Sequence, residues 1–529
     1  TQNHLNTRSL LRFICKLVVQ MVLGRLLILS SLPVFCVSQK QCHSISPAAS
    51  DEWCNTNCNH NPPNCPPSLC SCDGPGPSPG PTPPTPPGPT PPGPTPSGST
   101  FGAYFANWAQ YHKAPYKHTA SNVGPIAGRV DYIYFAFVYF CPPAGTSPMP
   151  YWAKAPYGSC SDSTEYQLMT LEHNDQQSIS TLTGMGPKVI ASVGGWNFPS
   201  AYFSKMVSSS ESRAKFISSA KSFLSQHGFK GIDLDWEFPC SEPRDDAVKI
   251  TNTKFRHVKD AGGNCPADTT NFPTFTKELR AGLGDDMHIS VASQAAEKHW
   301  VQMGIKEATP YVDQWNVMSY DYAVSDIPNG AAMSPNCPLY TPKSPQAVQM
   351  SVNYTIQGYL AAGVPANKIL VGIPFYGHTW YQPGLGTDAW HQFGLNGSIQ
   401  DKCYGPFKQT YGAKPGKGCQ MCGTMMYSEI LAALGGSEDG SYHDEQTESD
   451  IAYMAEAGQD GGWTEAGTWI TYSGTKSMAA IIDYTKKMNL AGAFIFDTSM
   501  DSDFTHYKLM NQIADGLGKP KQSLGSIYL

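Results

Sequence analysis

Eight apolar runs recur between residue 101 and the carboxyl end of the chain, separated by helical patterns or long loops. They are FGAYFANW (101–108), VDYIYFAFVYF (130–140), KVIASVGGW (188–196), GFKGIDLDWEF (228–238), MHISVASQ (287–294), DQWNVMSYDY (313–322), KILVGIPFYG (368–377) and LAGAFIFDTS (490–499). The intervening SRAKFISSAKSFLSQHG (212–228) and KSMAAIIDYTKKMN (476–489) repeat apolar residues at helical spacing. Strands joined through helices pair in parallel with right-handed crossovers, and eight of them predict a closed (β/α)8 TIM barrel. An open doubly wound sheet is the alternative left by the same alternation. The gap between runs seven and eight is too long for one helix and contains CYGPF, CQMC, DEQT and Trp463. A structureless loop of that size is improbable in a compact domain, so an inserted subdomain is expected at about 381–466, carrying Cys403, Cys419 and Cys422.

A barrel of ~250–400 residues accounts for most of the 529. The rest divides by composition. MVLGRLLILSSLPVFCVSQ begins at Met21 and has one Arg, an apolar stretch and small or polar residues near Cys36 to Ser38. Residues 1–38 therefore read as an N-terminal extension and secretory signal, with Arg25 shortening the apolar run below the ~18–20 residues of a spanning helix. Residues 39–72 hold Cys42, Cys54, Cys58, Cys65, Cys70 and Cys72 among few aliphatics, a composition that needs cross-links to fold. Residues 73–100 are Pro/Gly/Thr-rich and predict an extended polyproline spacer. Residues 101–515 are the barrel and 516–529 a tail.

Of the 16 cysteines, setting aside Cys15 and Cys36 leaves fourteen, an even number compatible with full pairing in an oxidising compartment. Asn353 (NYT) and Asn396 (NGS) are glycosylation acceptors in an exported chain. With 15% charged residues and a net charge of −6, nothing favours nucleic acid as a partner. No membrane attachment is expected once the signal is removed, and a monomer is expected.

The fourth run contains the chemistry. In GFKGIDLDWEFP, Asp233, Asp235 and Glu237 alternate with Ile232, Leu234 and Trp236, so a strand places the three acids on one face. Glu237 falls at the carboxyl end, where barrel active sites gather, and the two aspartates step inward from it. Three carboxylates in file inside a low-dielectric barrel cannot all ionise comfortably; protons must be shared and at least one pKa raised. The expected consequence is that Glu237 is kept protonated as a donor. Lys230 is the one nearby cation of the run, and by parity it faces outward with Ile232.

GIDLDWEFP resembles the DxxDxDxE signature of glycoside hydrolase family 18, the chitinase family. SVGG (Ser192–Gly195) is similar to that family's SxGG motif on strand three, and MSYD (Met318–Asp321) to its MxYD motif on strand six. The resemblance spans residues 101 to about 515 and implies the barrel, with an α+β insertion after strand seven. It further implies a retaining mechanism assisted by the substrate. Glu237 would protonate the glycosidic oxygen while the sugar's acetamido oxygen attacks the anomeric carbon. Asp235 would hold the acetamido N–H, Asp233 would share its proton, and Tyr320 would bond the acetamido carbonyl. Met318 and Asp321 would shape the pocket, and Ser192, Gly194 and Gly195 are further substrate-binding candidates.

Trp108, Trp196, Trp380 and Trp463 are candidates for stacking on flat sugar faces, joined by Phe137, Tyr376 and Phe496. Trp236 is disfavoured by parity. The chain departs from the family at Lys230, which replaces the signature's first Asp, at Phe496 in place of a Trp, and at His378 in place of an Arg. The cysteine knot resembles small carbohydrate-binding modules, with Trp53 as its binding candidate and His60 beside it. The expectation is a secreted chitinase acting on chitin or chitooligosaccharides, without cofactor or metal. The alternatives are an endo-N-acetylglucosaminidase acting on glycoprotein glycans and a non-catalytic chitin lectin.

Overall fold

The computed structural model describes residues 42–44, 53–54, 58, 69–72, 99–154, 158–243, 260–324, 332–385, 423–461 and 464–521. The chain forms two compact units, Thr1–Pro84 and Thr85–Leu529, which divide inside the Pro-rich segment.

In the first unit, the strands Cys42–Ser44 and Cys70–Cys72 pair antiparallel. Disulfides join Cys42 to Cys72 and Cys54 to Cys70. Four buried cysteines form the unit's apolar core, with Trp53 and Leu69 packed against them. Cross-links thus substitute for an aliphatic core in a segment too short to build one. The sulfurs of Cys42, Cys58 and Cys72 lie within 4.8 Å of one another. All three are disulfide-bonded, so they present no thiolate to a metal.

The second unit is built on eight parallel strands: β1 (Thr100–Ala106), β2 (Tyr132–Phe140), β3 (Lys188–Gly194), β4 (Gly231–Asp235), β5 (His288–Gln294), β6 (Gln314–Met318), β7 (Ile369–Pro374) and β8 (Gly492–Phe496). They pair in sequence order, and β8 also pairs with β1, closing the barrel. Every one of the eight apolar runs supplies a strand, and the open-sheet alternative is excluded by that closure. The helices form where apolar spacing gives one burying face. In Ser210–His227, Phe216, Ala220, Phe223 and Leu224 face the sheet, and the Ser209 hydroxyl caps the start by accepting from the Ser212 amide at 3.1 Å. Thr475–Lys487 buries Met478, Ile481, Ile482 and Thr485 in the same way.

Between β7 and β8 lies a five-stranded antiparallel sheet, in the order Thr424–Met426, Tyr376–Tyr381, Thr468–Tyr472, Ser449–Tyr453, Ser441–Asp444. The inserted sheet starts at Tyr376 and ends at Tyr472, wider on both sides than 381–466. Its first strand is apolar enough to read as an extension of β7, which hid the boundary. Cys403, Cys419, Cys422 and Asn396 lie outside the described residues.

Disulfides Cys141–Cys160 and Cys240–Cys265 brace loops at the carboxyl ends of β2 and β4. Full pairing does not hold: Cys337 is a buried free thiol whose Sγ donates to the Ser319 carbonyl at 3.1 Å. The sequon at Asn353 starts a helix, and its Thr355 hydroxyl is buried, donating to the Ala295 carbonyl at 2.9 Å.

One carboxyl just past β8 offers a test of the interior. Burial pushes Asp497 up to about 6, although the Ser499 amide and hydroxyl both donate to its Oδ1. A carboxyl whose native pKa lies above its unfolded value binds its proton more tightly when folded. Its contribution to stability is full below pH ~4 and lost as the pH rises through ~6. In urea melts, the unfolding free energy of the parent minus that of Asp497→Asn is expected to fall by about 2–3 kcal/mol between pH ~4 and ~7.

Candidate active site

The acidic row occupies the barrel interior as parity requires. Asp233 and Asp235 are buried in β4, and Glu237 stands half-buried two residues past Asp235. The alternate residues pack outward: Ile232 and Leu234 are buried, and the Trp236 ring stacks on Phe203 at 5.4 Å and 11°. Lys230 is exposed, outside the acidic row.

Asp233 sits within a ring of donors drawn from four strands. Tyr104 of β1 and Ser192 of β3 donate their hydroxyls to Oδ2, each at 2.8 Å. Ser290 of β5 donates to Oδ1 at 2.6 Å and the Asn316 amide of β6 at 3.3 Å. Burial raises the Asp233 carboxyl and these four hydrogen bonds pull it back. At Asp235 all the causes act upward: burial first, then the charges of Glu237 and Asp233, hold it well above the usual carboxylate range. Its Oδ1 is buried with no hydrogen-bond partner among the described residues. The row's resting proton therefore belongs on Asp235, between an anion stabilised by donors and the glutamate at the mouth, and not on Glu237 as expected from the row alone, because Asp235 is the more deeply buried and is flanked by a charge on each side.

Tyr320, just past the end of β6, lies near Asp235 and Glu237, with Met318 and Asp321 on either side of it in the chain. Tyr320 is buried, and burial, reinforced by the neighbouring Asp321 charge, keeps its hydroxyl protonated, a neutral donor. Met318 ends the strand partly buried against the main core. Asp321 lies just beyond with φ +56° and an exposed carboxylate. The Tyr376 hydroxyl donates to its Oδ2 and His378 Nε2 bonds its Oδ1, each at 2.8 Å. Both partners come from the first strand of the inserted sheet, so His378 joins that sheet to the pocket wall.

The SxGG residues are structural in their contacts. Ser192 is buried on Asp233. Gly194 (φ +114°) and Gly195 (φ +88°) bring the backbone so close that a Cβ would meet the Asp235 carbonyl oxygen at 2.2 Å and the Phe137 ring at 2.5 Å. The Gly195 amide donates to the Asp235 carbonyl at 2.8 Å. These residues shape the floor from behind.

Aromatic residues ring the mouth. Trp108 stacks on Phe137 at 5.6 Å and 19°, with Phe496 tilted against it at 6.5 Å. Trp196 is 49% exposed. Trp380 is elsewhere: 1% exposed, it packs edge-on against Trp469 in the core of the inserted sheet and shows no open ring face. Its alternation within an apolar strand, not its ring, was the informative feature. Trp463 and His60 lie outside the described residues, and Trp53 is half-buried against the cystines of the first unit.

Tyr104, Ser290 and Asn316 escaped the motif reading. They carry a legible signal nonetheless, a polar residue at an inward position of an apolar strand, which a search for donors to a buried carboxylate would have found.

A closed barrel carrying a shared-proton acid row beneath a glutamate at its carboxyl-terminal mouth defines a glycoside hydrolase scaffold. The family of glycosyl hydrolases 18 matches residues 100–501, and the chain belongs to it. Probable chitinase 2 of Drosophila melanogaster is 27% identical over 328 residues, 61% of this chain and 58% of that protein, so the chain spans less than two thirds of this relative's length. Among solved structures, the Group IV chitinase of Ostrinia furnacalis in complex with allosamidin superposes with a TM-score of 0.60 at 22% identity, covering 79% of this chain and 99% of that one. Human YKL-39, described as a pseudo-chitinase with retained chitooligosaccharide binding, superposes with a TM-score of 0.58 at 20% identity, covering 80% of this chain and all of the other (100%).

Removing one donor from a buried acceptor costs about 1–3 kcal/mol. Ser290→Ala is expected to lower unfolding free energy by that amount in denaturant melts, whereas Lys230→Ala on the exposed face changes it by less than about 0.5 kcal/mol.

Proposed function

We propose that the chain is a secreted chitinase that hydrolyses β-1,4-linked N-acetylglucosamine polymers with retention of anomeric configuration. The observation that carries the proposal is the row itself: Asp235, held neutral by burial and two flanking charges, lies next to Glu237 at the mouth and within the field of Tyr320. A neutral Asp235 can turn toward Glu237 or toward a substrate amide without leaving an unpaired charge in the barrel.

The proton held on Asp235 passes to Glu237 as the substrate enters, and Glu237 delivers it to the glycosidic oxygen as the bond breaks. The acetamido oxygen of the same sugar attacks the anomeric carbon, giving an oxazolinium ion, and this family is an established exception to the two-carboxylate rule. Asp235, now a carboxylate, accepts a hydrogen bond from the acetamido N–H and balances the positive charge, while Asp233 stays held by its four donors. The Tyr320 hydroxyl donates to the acetamido carbonyl. Glu237, now a carboxylate, takes a proton from water as it opens the ring, and the net result is retention. A sugar without a 2-acetamido group supplies no nucleophile.

Four disulfides among the described residues support an oxidising destination. No helix among them is long and apolar enough to cross a membrane. The cystine unit with its half-buried Trp53 is proposed as a chitin-binding module, tested by whether residues 39–72 pellet with insoluble chitin.

A non-catalytic lectin on this barrel is the second reading, favoured by the likeness to YKL-39. The presence of Glu237 at the mouth argues against it. Glu237→Gln is expected to keep oligomer binding and lose nearly all turnover of a chitin hexamer, with the parent giving the β-anomer by NMR. Release of high-mannose glycans from a denatured glycoprotein in preference to hexamer cleavage would point to an endo-N-acetylglucosaminidase instead. Trp196→Ala, which removes an exposed ring, is expected to raise KM for the hexamer several-fold with kcat nearly unchanged, measured by initial rates.

A further inference from the structure

Glu237 lies beyond the last residue of β4, where the sheet no longer fixes the backbone. Something else must hold it, because a displacement of about 1 Å at a reacting group costs on the order of 10²-fold in rate. The fixation is visible on both sides of the residue and converges on one side chain. The Trp236 indole Nε1 donates to the Ser200 hydroxyl at 2.6 Å. The same hydroxyl donates its own proton to the Phe238 carbonyl at 2.7 Å. One oxygen thus ties the residue before Glu237 to the residue after it, using its acceptor and its donor capacity together.

Ser200 is itself held. It is fully buried at the start of the helix Ser200–Val207. Its amide donates to Asp260 Oδ2 at 2.9 Å, and the next amide, Ala201, donates to Asp260 Oδ1 at 3.1 Å. The Trp236 ring is fixed between Phe203 of the same helix and Phe272, which meets it edge-on at 6.0 Å. Further along, the Cys240 amide donates to Asp268 Oδ2 at 3.0 Å and the Ser204 hydroxyl to Asp268 Oδ1 at 2.6 Å. With the Asp235 carbonyl accepting from Gly195, residues 235, 236, 238 and 240 around Glu237 are each held by a hydrogen bond.

We propose that Ser200 is a positioning residue for the acid: its hydroxyl clasps the chain on either side of Glu237 and aims the carboxyl at the glycosidic oxygen. This rests on the assignment of Glu237 as general acid made above. Ser200 touches no substrate and moves no proton in the reaction.

The role predicts a dependence on the leaving group that loss of structure alone would not produce. Departure of a sugar alkoxide requires Glu237's proton, whereas departure of dinitrophenolate, a stable anion, does not. Ser200→Ala is expected to lower kcat on a chitin hexamer by about 10–100-fold, with KM within about twofold. On a dinitrophenyl chitobioside the same variant is expected to stay within about threefold of the parent, and Ser200→Thr, which keeps the hydroxyl, to recover most of the hexamer rate. Trp236→Phe, which removes only the N–H donor, is expected to show a smaller loss with the same selectivity and serves as the test if Ser200→Ala does not fold. Equal losses on both substrates, or hexamer turnover at the parent rate, overturn the proposal. Glu237→Gln is measured alongside: if it turns over the hexamer at the parent rate, the acid assignment fails and the Ser200 proposal with it, whereas an inactive Glu237→Gln beside an unimpaired Ser200→Ala refutes the clasp alone.

Discussion

Burying a carboxylate in a low-dielectric interior is unfavourable unless donors surround it or a proton neutralises it. This barrel uses both remedies on neighbouring residues. Four strands deliver donors to Asp233: β3 and β5 flank β4 in the sheet, while β1 and β6 reach across the interior. Closure is therefore required for the chemistry as much as for stability, because an open sheet would bring the flanking donors and leave Tyr104 without its partner. The second remedy, protonation, falls to Asp235, where burial first, and then repulsion from both sides, favours the neutral form.

The inserted sheet extends this arrangement beyond the barrel. It leaves the end of β7 directly, with Phe375 alone between the two strands, so the barrel fixes where its first strand begins. Tyr376 and His378, two residues apart on that strand, share a face by alternation and close on the same carboxylate. By the same alternation Trp380 continues that face and packs on Trp469 opposite it, so one face of the strand runs from a polar wall into an apolar core, while Gly377 lies on the other.

Much of this was legible in the chain. The eight strands could be read because a parallel barrel strand is buried on both faces and stands out as an apolar run. The acidic row could be read because strand alternation is strict, and the outward placement of Lys230 and Trp236 followed from the same rule. What alternation does not convey is distance across the barrel. Ser192 read as a substrate contact within a recognised motif, yet it faces Asp233 from the neighbouring strand, and Asn316 read as nothing at all until the carboxylate it serves was in view. Trp380 illustrates the converse error. A tryptophan ring suggests a platform for a flat sugar face, but in a five-stranded sheet with little else to fill its centre the ring becomes the core. The clasp at Ser200 lay beyond sequence reading for a third reason: its hydroxyl bonds to residues 36 and 38 positions away, and no local pattern encodes that meeting.

The buried thiol of Cys337 bears on how such a chain reaches its native pairing. Burial drives its pKa up to about 12, so in the folded protein it has almost no thiolate with which to attack a neighbouring cystine. Before the barrel closes, the same sulfur is an ordinary nucleophile among many others. Formation of the β6 end of the sheet thus acts as a chemical quench, withdrawing one competitor from exchange and fixing the cross-links already made.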